Sequence, residues 1–383
     1  MSILRTLLGI VILTVIVLVN TIVVMWCERK WMGHMQSRRG PMRTGWHGLM
    51  QPFADALKLL GKEDLTPAAA DRRLFLIAPL IAFTPSLLVY AAMPWVADFT
   101  GVSFDVGIFM IFAIAAIFPV GMLLAGWSSH NKYSLIGGFR AAAQQISYEV
   151  PMILAVMGVI MLAESLQLSD IVDSQAGVWN VVTQPFAFML FFIGMLAELN
   201  RTPFDMPEAE SELVGGFNTE YSSMRFALFF VAEYVNVFTW SLICVLLFFG
   251  GWNGPLLPDI AWLLAKTYLI VFAIIWVRAT FPRVRVDQLM ALGWKLLLPA
   301  ALVNVLITAV GMLTNVLVLV TLEVAAAIAL FLLISWLGEH AGDKRRAEAR
   351  TRIALGVSRQ AAGRSARKTR TDATAAETEG VSA

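Results

Sequence analysis

Between positions 198 and 233 the chain carries Glu198, Asp205, Glu208, Glu210, Glu212, Glu220 and Glu233 against only Arg201 and Arg225. Apolar runs of membrane-crossing length flank this stretch on both sides, so its carboxyls stand at the edge of hydrocarbon. An ionised carboxylate there pairs, reaches water, or takes up a proton through a raised pKa. Several such groups in one segment, broken by Pro203 and Pro207 and loosened by Gly215 and Gly216, can line a polar cavity beside the bilayer. An exposed acidic loop would carry the same charges, but it leaves Glu233, about two turns inside the next apolar run, unexplained. Glu149 is a further acid at the hydrocarbon edge, preceded by Gln144, Gln145, Ser147 and Tyr148 and followed by Pro151, which removes a backbone donor and permits a kink. Glu323 is a lone acid near the outer end of the last apolar run and is expected to reach the interface.

The elements that must position these groups are membrane helices. A chain that is 58% hydrophobic and 15% charged, with a mean hydropathy of +0.72, is an all-α polytopic membrane protein, not a soluble domain. At about 20 apolar residues per span, nine candidates emerge, roughly 3–26, 74–96, 104–127, 146–166, 181–199, 225–250, 259–281, 294–314 and 316–338. The first is too long for a signal-peptide core and lacks a small-residue cleavage site, so it is expected to be retained. Lys and Arg concentrate in segment 27–73 and in the tail, which places the N-terminus outside and the C-terminus inside. Residues 1–340 read as one transmembrane helical domain and 341–383 as a flexible basic tail near anionic lipid or a partner.

After the first span, Leu49, Met50, Phe53, Ala56, Leu57 and Leu60 share one helical face opposite Gln51, Asp55 and Lys58. Such a helix lies on the membrane surface, under a partner, or both. Arg29, Lys30, Arg38 and Arg39 before it suit a headgroup anchor, and Arg278, Arg283 and Arg285 at the end of the seventh span suit either a snorkelling anchor or a site. Two cysteines, Cys27 and Cys244, are too few for an iron–sulfur cluster. His34, His47, His130 and His340 lack metal-ligand spacing, and no glycine-rich nucleotide loop is present. No metal, flavin or iron–sulfur cluster is expected on this chain, nor a nucleic-acid partner.

The ordered motifs ERKWMGHMQSRRGP, QPFADALKLLGKE, QQISYEVP, ELNRTPFDMPEAESELVGGFNTEY, ALFFVAEY and RATFPRVRVDQLM resemble the H-subunit family of proton-pumping NADH:quinone oxidoreductase, respiratory complex I. The likeness spans about residues 20–300. It departs at Ala209, where the family usually has Gly, and in PMRTGWHG. The resemblance implies a membrane subunit, inactive alone, that helps wall a quinone chamber and joins other complex I subunits in a bacterial inner membrane. It implies that Glu149, Glu198, Glu208, Glu210, Glu212, Glu220 and Glu233 belong to a proton path. Arg38, Phe53, Arg201, Asp205 and Arg278 would stand near the quinone. A homologous component of a membrane-bound hydrogenase, or of a ferredoxin- or deazaflavin-dependent dehydrogenase, is the nearest alternative. A stand-alone ion or solute transporter would use midplane acids differently and would work without partners.

Overall fold

The computed structural model describes residues 3–336 except 97–98, 101–103, 209 and 256. Two compact units are distinguished, Met1–Val324 and Ala325–Ala383. In the second, residues 325–336 are helical, and the expected tail, 341–383, lies outside the described residues.

The chain begins with α1 (Ile3–Met35), the short α2 (Gln51–Gly61) and α3 (Arg72–Leu88), followed by a two-stranded antiparallel hairpin of β1 (Pro94–Val96) and β2 (Phe99–Thr100). Next come α4 (Gly107–Ala115), α5 (Phe118–Ser128), α6 (Lys132–Ala163), the short α7 (Leu168–Ser174) and α8 (Asn180–Thr183), and α9 (Pro185–Glu198). The acidic stretch holds one turn, α10 (Glu210–Leu213), before α11 (Ser223–Phe248) and α12 (Asp259–Thr280). Later in the chain come α13 (Val286–Leu292) and α14 (Leu298–Leu313), joined by a π-turn at Gly293–Leu297, and then α15 (Val316–Trp336). Among the described residues, eight helical stretches are long and apolar enough to cross a membrane.

Three expected boundaries move, each for a local reason. The fifth span is shorter than expected, because Gln184–Pro185 splits it into α8 and the 14-residue α9, about 21 Å long. The third bends at residues 116–117, where Pro119 sits in the first turn of α5. The fourth begins much earlier, at Lys132: Gly137, Gly138, Gln144 and Gln145 lower the hydropathy of its first half, yet all four are buried. Small residues let the backbones close there. A Cβ at Gly121 would stand 2.6 Å from the Ala82 nitrogen, and one at Gly126 would run into the Ser134 carbonyl oxygen.

The core gathers α3, α5, α6 and α11 around Phe75, Met122, Phe217, Tyr221 and Phe229. Tyr221 stacks on Phe75 at 4.0 Å and donates to the Phe75 carbonyl at 3.1 Å, so the end of the acidic stretch is packed into the bundle and does not trail in solvent. Helix α2 is tethered on its polar side: Asp55 pairs with Arg29 of α1, and the Ser223 hydroxyl stands 3.0 Å from the carbonyls of Leu59 and Lys62. Its apolar stripe, with Phe53, Leu57 and Leu60 each about half exposed, therefore faces outward.

Candidate functional site

Amide side chains of α6 shape the entrance to the acidic stretch. Gln144 donates through Nε2 to the carbonyls of Ala197 and Phe204, both at 2.7 Å, and Gln145 donates to the Glu198 carbonyl at 3.1 Å. The Gln145 bond satisfies a carbonyl left open where α9 ends, and the Gln144 bonds tie the following residues to α6. Asn200 adopts a left-handed conformation (φ 51°) and turns the chain inward, so that Arg201 is 7% exposed.

Around Arg201 four elements converge. Its guanidinium lies 3.8 Å from the Glu28 carboxylate of α1 and 4.6 Å above the Tyr234 ring of α11. Arg278, at the end of α12, forms an ion pair with the same Glu28 oxygen. Glu233, 8% exposed, sits in the field of Glu208, Arg201, Asp205 and Arg278. Glu208 accepts from Asn218 at 2.9 Å, and Arg283 donates to the Asp205 backbone carbonyl. Beside this group opens a cavity of about 650 Å³, lined by Asp205, Glu208, Gly215, Asn218, Phe226, Phe230, Arg278 and Arg283. That volume lies within the usual range for small-molecule sites, and the lining offers aromatic faces beside cations and acids.

Burial and charge pull these groups in different directions. Burial raises the Glu208 pKa, and neighbouring Asp205 raises it further; Arg201 and the Asn218 hydrogen bond oppose the rise without cancelling it. Burial alone would push the Arg201 pKa down, but Glu28, Tyr234, Glu233 and Glu208 together hold it up, so Arg201 stays charged. Among the described residues, four carboxyls (Glu28, Asp205, Glu208, Glu233) thus face three guanidiniums (Arg201, Arg278, Arg283). One proton taken up by the acids balances the set.

Other expected residues lie apart from this group. Glu198, the last residue of α9, is buried with its Oε2 unpartnered and lies in the field of Glu149, which is partly buried on α6. Glu212 is half-exposed and pairs with Arg140 at 2.6 Å; that hydrogen bond holds its pKa below the usual carboxylate range. Glu220 accepts from Asn131, the N-cap of α6, at 2.6 Å. Glu210 opens α10, and its side chain lies outside the described residues. Arg38 is exposed and bonded to Gln36, and Phe53 stands on the outward stripe of α2.

Glu28 is the residue that sequence reasoning passed over, although a carboxylate at the end of an apolar run was the available signal. Glu323 corrects an expectation. It is fully buried instead of reaching the interface, and it faces the backbone N–H groups of Phe186 and Ala187 in the first turn of α9 without a well-formed hydrogen bond to either. The positive end of a helix offsets the cost of that burial. Nearby, Gln184 donates to Thr308 at 3.2 Å, and a Cβ at Gly158 would meet Asn304, Thr308 and Gln184 together.

These features define a multi-pass helical membrane protein with a buried acid–guanidinium cluster on the side where α9 and α12 end and α11 begins. The chain belongs to the NADH dehydrogenase family, whose pattern it matches over residues 8–309. It is 52% identical over 318 residues to the first of the numbered H-type chains of the NADH-quinone oxidoreductase of Geobacter sulfurreducens, covering 77% of this chain and 91% of that protein. It is 47% identical to the H-type chain of the NADH-quinone oxidoreductase of Dehalococcoides mccartyi (85% and 93% covered) and 51% identical to that of Geobacillus thermodenitrificans (74% and 87%).

Proposed function

We propose that this chain is the membrane subunit of an NADH–quinone oxidoreductase that helps wall the quinone site and couples quinone reduction to proton translocation. The observation that carries the reading is the group of buried Glu28, Arg201 and Glu233 with the partly exposed Arg278 against a ligand-sized cavity. Reducing a quinone in such a place adds negative charge where water is scarce. At an effective dielectric of about 20, two unit charges about 8 Å apart interact by roughly 2 kcal/mol, more than one pKa unit. That suffices to change the protonation of neighbouring carboxyls, which titrate together and not singly. In this reading a quinone head group meets Arg278, Arg283, Phe226 and Phe230, which line the cavity, while Glu208, Glu233 and then Glu198 and Glu149 take up and pass protons.

The NADH, flavin and iron–sulfur chemistry belongs to partner subunits in this reading, and the chain sits in a bacterial inner membrane with its N-terminus outside. The outward apolar stripe of α2 supports docking to those partners or to lipid. The names of the relatives favour the quinone-linked enzyme over a hydrogenase or a ferredoxin- or deazaflavin-linked one. The test is Glu233→Gln and Glu198→Gln in the assembled complex, with quinone reduction and proton translocation both measured. Both variants should lose proton translocation at least severalfold. Parent-level values of both quantities in both variants sink the proposal.

A further inference from the structure

Glu149 on α6 and Glu198 at the end of α9 are brought alongside each other by the way these two helices meet. A Cβ at Gly194 would stand 3.0 Å from the Met152 Cβ, and Gln145 bonds to the Glu198 carbonyl at 3.1 Å, so α6 and α9 run antiparallel. Glu149 lies between those two contacts, about 6 Å along α6 from Gln145 and on the same face. Glu198 sits in its field.

The α6 side of this arrangement is secured from elsewhere in the bundle. Pro151 has no N–H to offer the Ser147 carbonyl, which leaves a gap in the helical ladder beside Glu149. The Tyr148 hydroxyl, however, donates to the Leu289 carbonyl at 2.9 Å, and the Trp294 indole donates to the Ser147 hydroxyl at 3.0 Å. The α9 side is a helix end, held less tightly by its own ladder, and the chain leaves it through left-handed Asn200. Two amides hold that end. Gln144 reaches the carbonyls of Ala197 and, in the following turn, Phe204, which fixes how far the end stands from α6. Gln145, fully buried, bonds to Glu198 itself. A second attachment on the next residue fixes rotation as well as distance, and rotation of the last turn decides where the Glu198 side chain points.

We infer that Gln145 is a positioning residue: it aims Glu198 toward Glu149 and so sets the passage of a proton between the two acids. A proton that moves from one carboxyl to the other leaves the first ionised and the second neutral, so the charge of the pair is conserved. Such a transfer needs the two groups within hydrogen-bond reach or one water apart, a condition that a small rotation of the last turn of α9 destroys. Gln145, Glu149 and Glu198 do not line the cavity beside Arg278, so this role is separate from holding a quinone. The inference rests on the proposed proton-translocating role and adds Gln145 to it.

The test uses the assembled complex in sealed vesicles, with quinone reduction and proton movement followed together. Gln145→Met keeps the side-chain length and removes the amide. Gln145→Asn keeps an amide one methylene too short to reach, and it serves where the methionine variant does not assemble. Each should lower the protons moved per electron at least twofold while the KM for quinone stays at its parent value. In a Glu149→Gln background, Gln145→Met should add no further loss, because the pair it serves is already gone. A parent ratio in either variant, a KM that rises in step with the loss, losses that multiply in the double variant, or failure of both variants to assemble overturns the positioning role. Glu198→Gln separates the two levels: if that variant is impaired while Gln145→Met has the parent ratio, positioning fails and the acid path stands; if Glu198→Gln itself has the parent ratio, both fail.

Discussion

Glu28 is the anchor of the cluster, and replacing it by Gln is the most direct perturbation of it. Its carboxylate is 7% exposed and lies 3.8 Å from an Arg201 guanidinium that is 8% exposed. At an effective dielectric of about 20, that separation corresponds to about 4 kcal/mol of attraction. Removing one partner of a buried pair usually costs about 3–5 kcal/mol, because the other charge is left uncompensated. Arg201 would still lie 4.6 Å from the Tyr234 ring, a contact contributing about 1–2 kcal/mol in a desolvated site, and would still feel Glu233 and Glu208. Arg278 is 27% exposed, so water takes over part of its lost pairing. The expected net cost of Glu28→Gln is therefore about 3 kcal/mol, near the lower end of the range. The assay is a double-mutant cycle of Glu28→Gln and Arg201→Met, reading retention of the folded chain in the complex during denaturant titration in mild detergent. A coupling of about 2 kcal/mol is expected. Effects that add to within about 0.5 kcal/mol would show that the two groups do not act as a pair.

Two further perturbations probe the walls of the same cavity. Glu208 has a raised pKa in the folded protein, so it binds its proton more tightly folded than unfolded. Its stabilising contribution is complete below the unfolded carboxylate pKa of about 4.3 and disappears as pH rises through the higher folded value. Glu208→Gln, neutral throughout, should gain stability relative to the parent as pH rises past the carboxylate range; a difference that does not change with pH, followed by thermal denaturation, contradicts the burial argument. At Gly137 an added Cβ would stand 2.6 Å from the Phe217 nitrogen and 2.7 Å from the Gly216 carbonyl carbon, both backbone atoms that cannot swing away. Gly137→Ala should cost about 1–3 kcal/mol by overpacking and lower quinone turnover by shifting the turn beside the cavity. Gly177→Ala, where nothing lies within 4 Å, is the control, and equal behaviour of the two variants removes the packing account.

Much of the helical layout could be read from hydropathy, because a span must bury its backbone polar groups within itself and so announces its length. Where hydropathy misled, packing had replaced lipid as the partner. The first half of α6 is polar and glycine-rich because it faces other helices and the acidic stretch, not hydrocarbon; its Gln144 and Gln145 spend their amides on α9 and the turn after it. Helix α9 reads as a full span only if Gln184–Pro185 is overlooked. The richness in acids of residues 198–233 was visible, but their sorting was not: Glu233 and Glu208 turn inward, whereas Glu212 is held outside by Arg140. That sorting depends on contacts between residues far apart in the chain, such as Glu28 with Arg278, for which local spacing carries no signal.

Under the proposed function, the balance of charge is what would suit such a cluster to coupling. A fully paired set would hold its protons through any event nearby, and a set of unpaired acids would be neutral and unresponsive. Three guanidiniums against four carboxyls leave the cluster one proton from balance, with Glu208 raised by burial and Arg201 kept charged by its surroundings. New negative charge in the adjoining cavity then favours proton uptake by the excess acid, and its removal favours release. Glu233 is held on α11 and Arg278 on α12, so in the proposed coupling the change would act on two helices that lead away from the cluster. Removing Arg201 shifts that balance in one direction and removing Glu28 in the other, so the two single variants should displace the pH dependence of quinone turnover oppositely. Displacement in the same direction would mean that the cluster acts through packing and not through its charge.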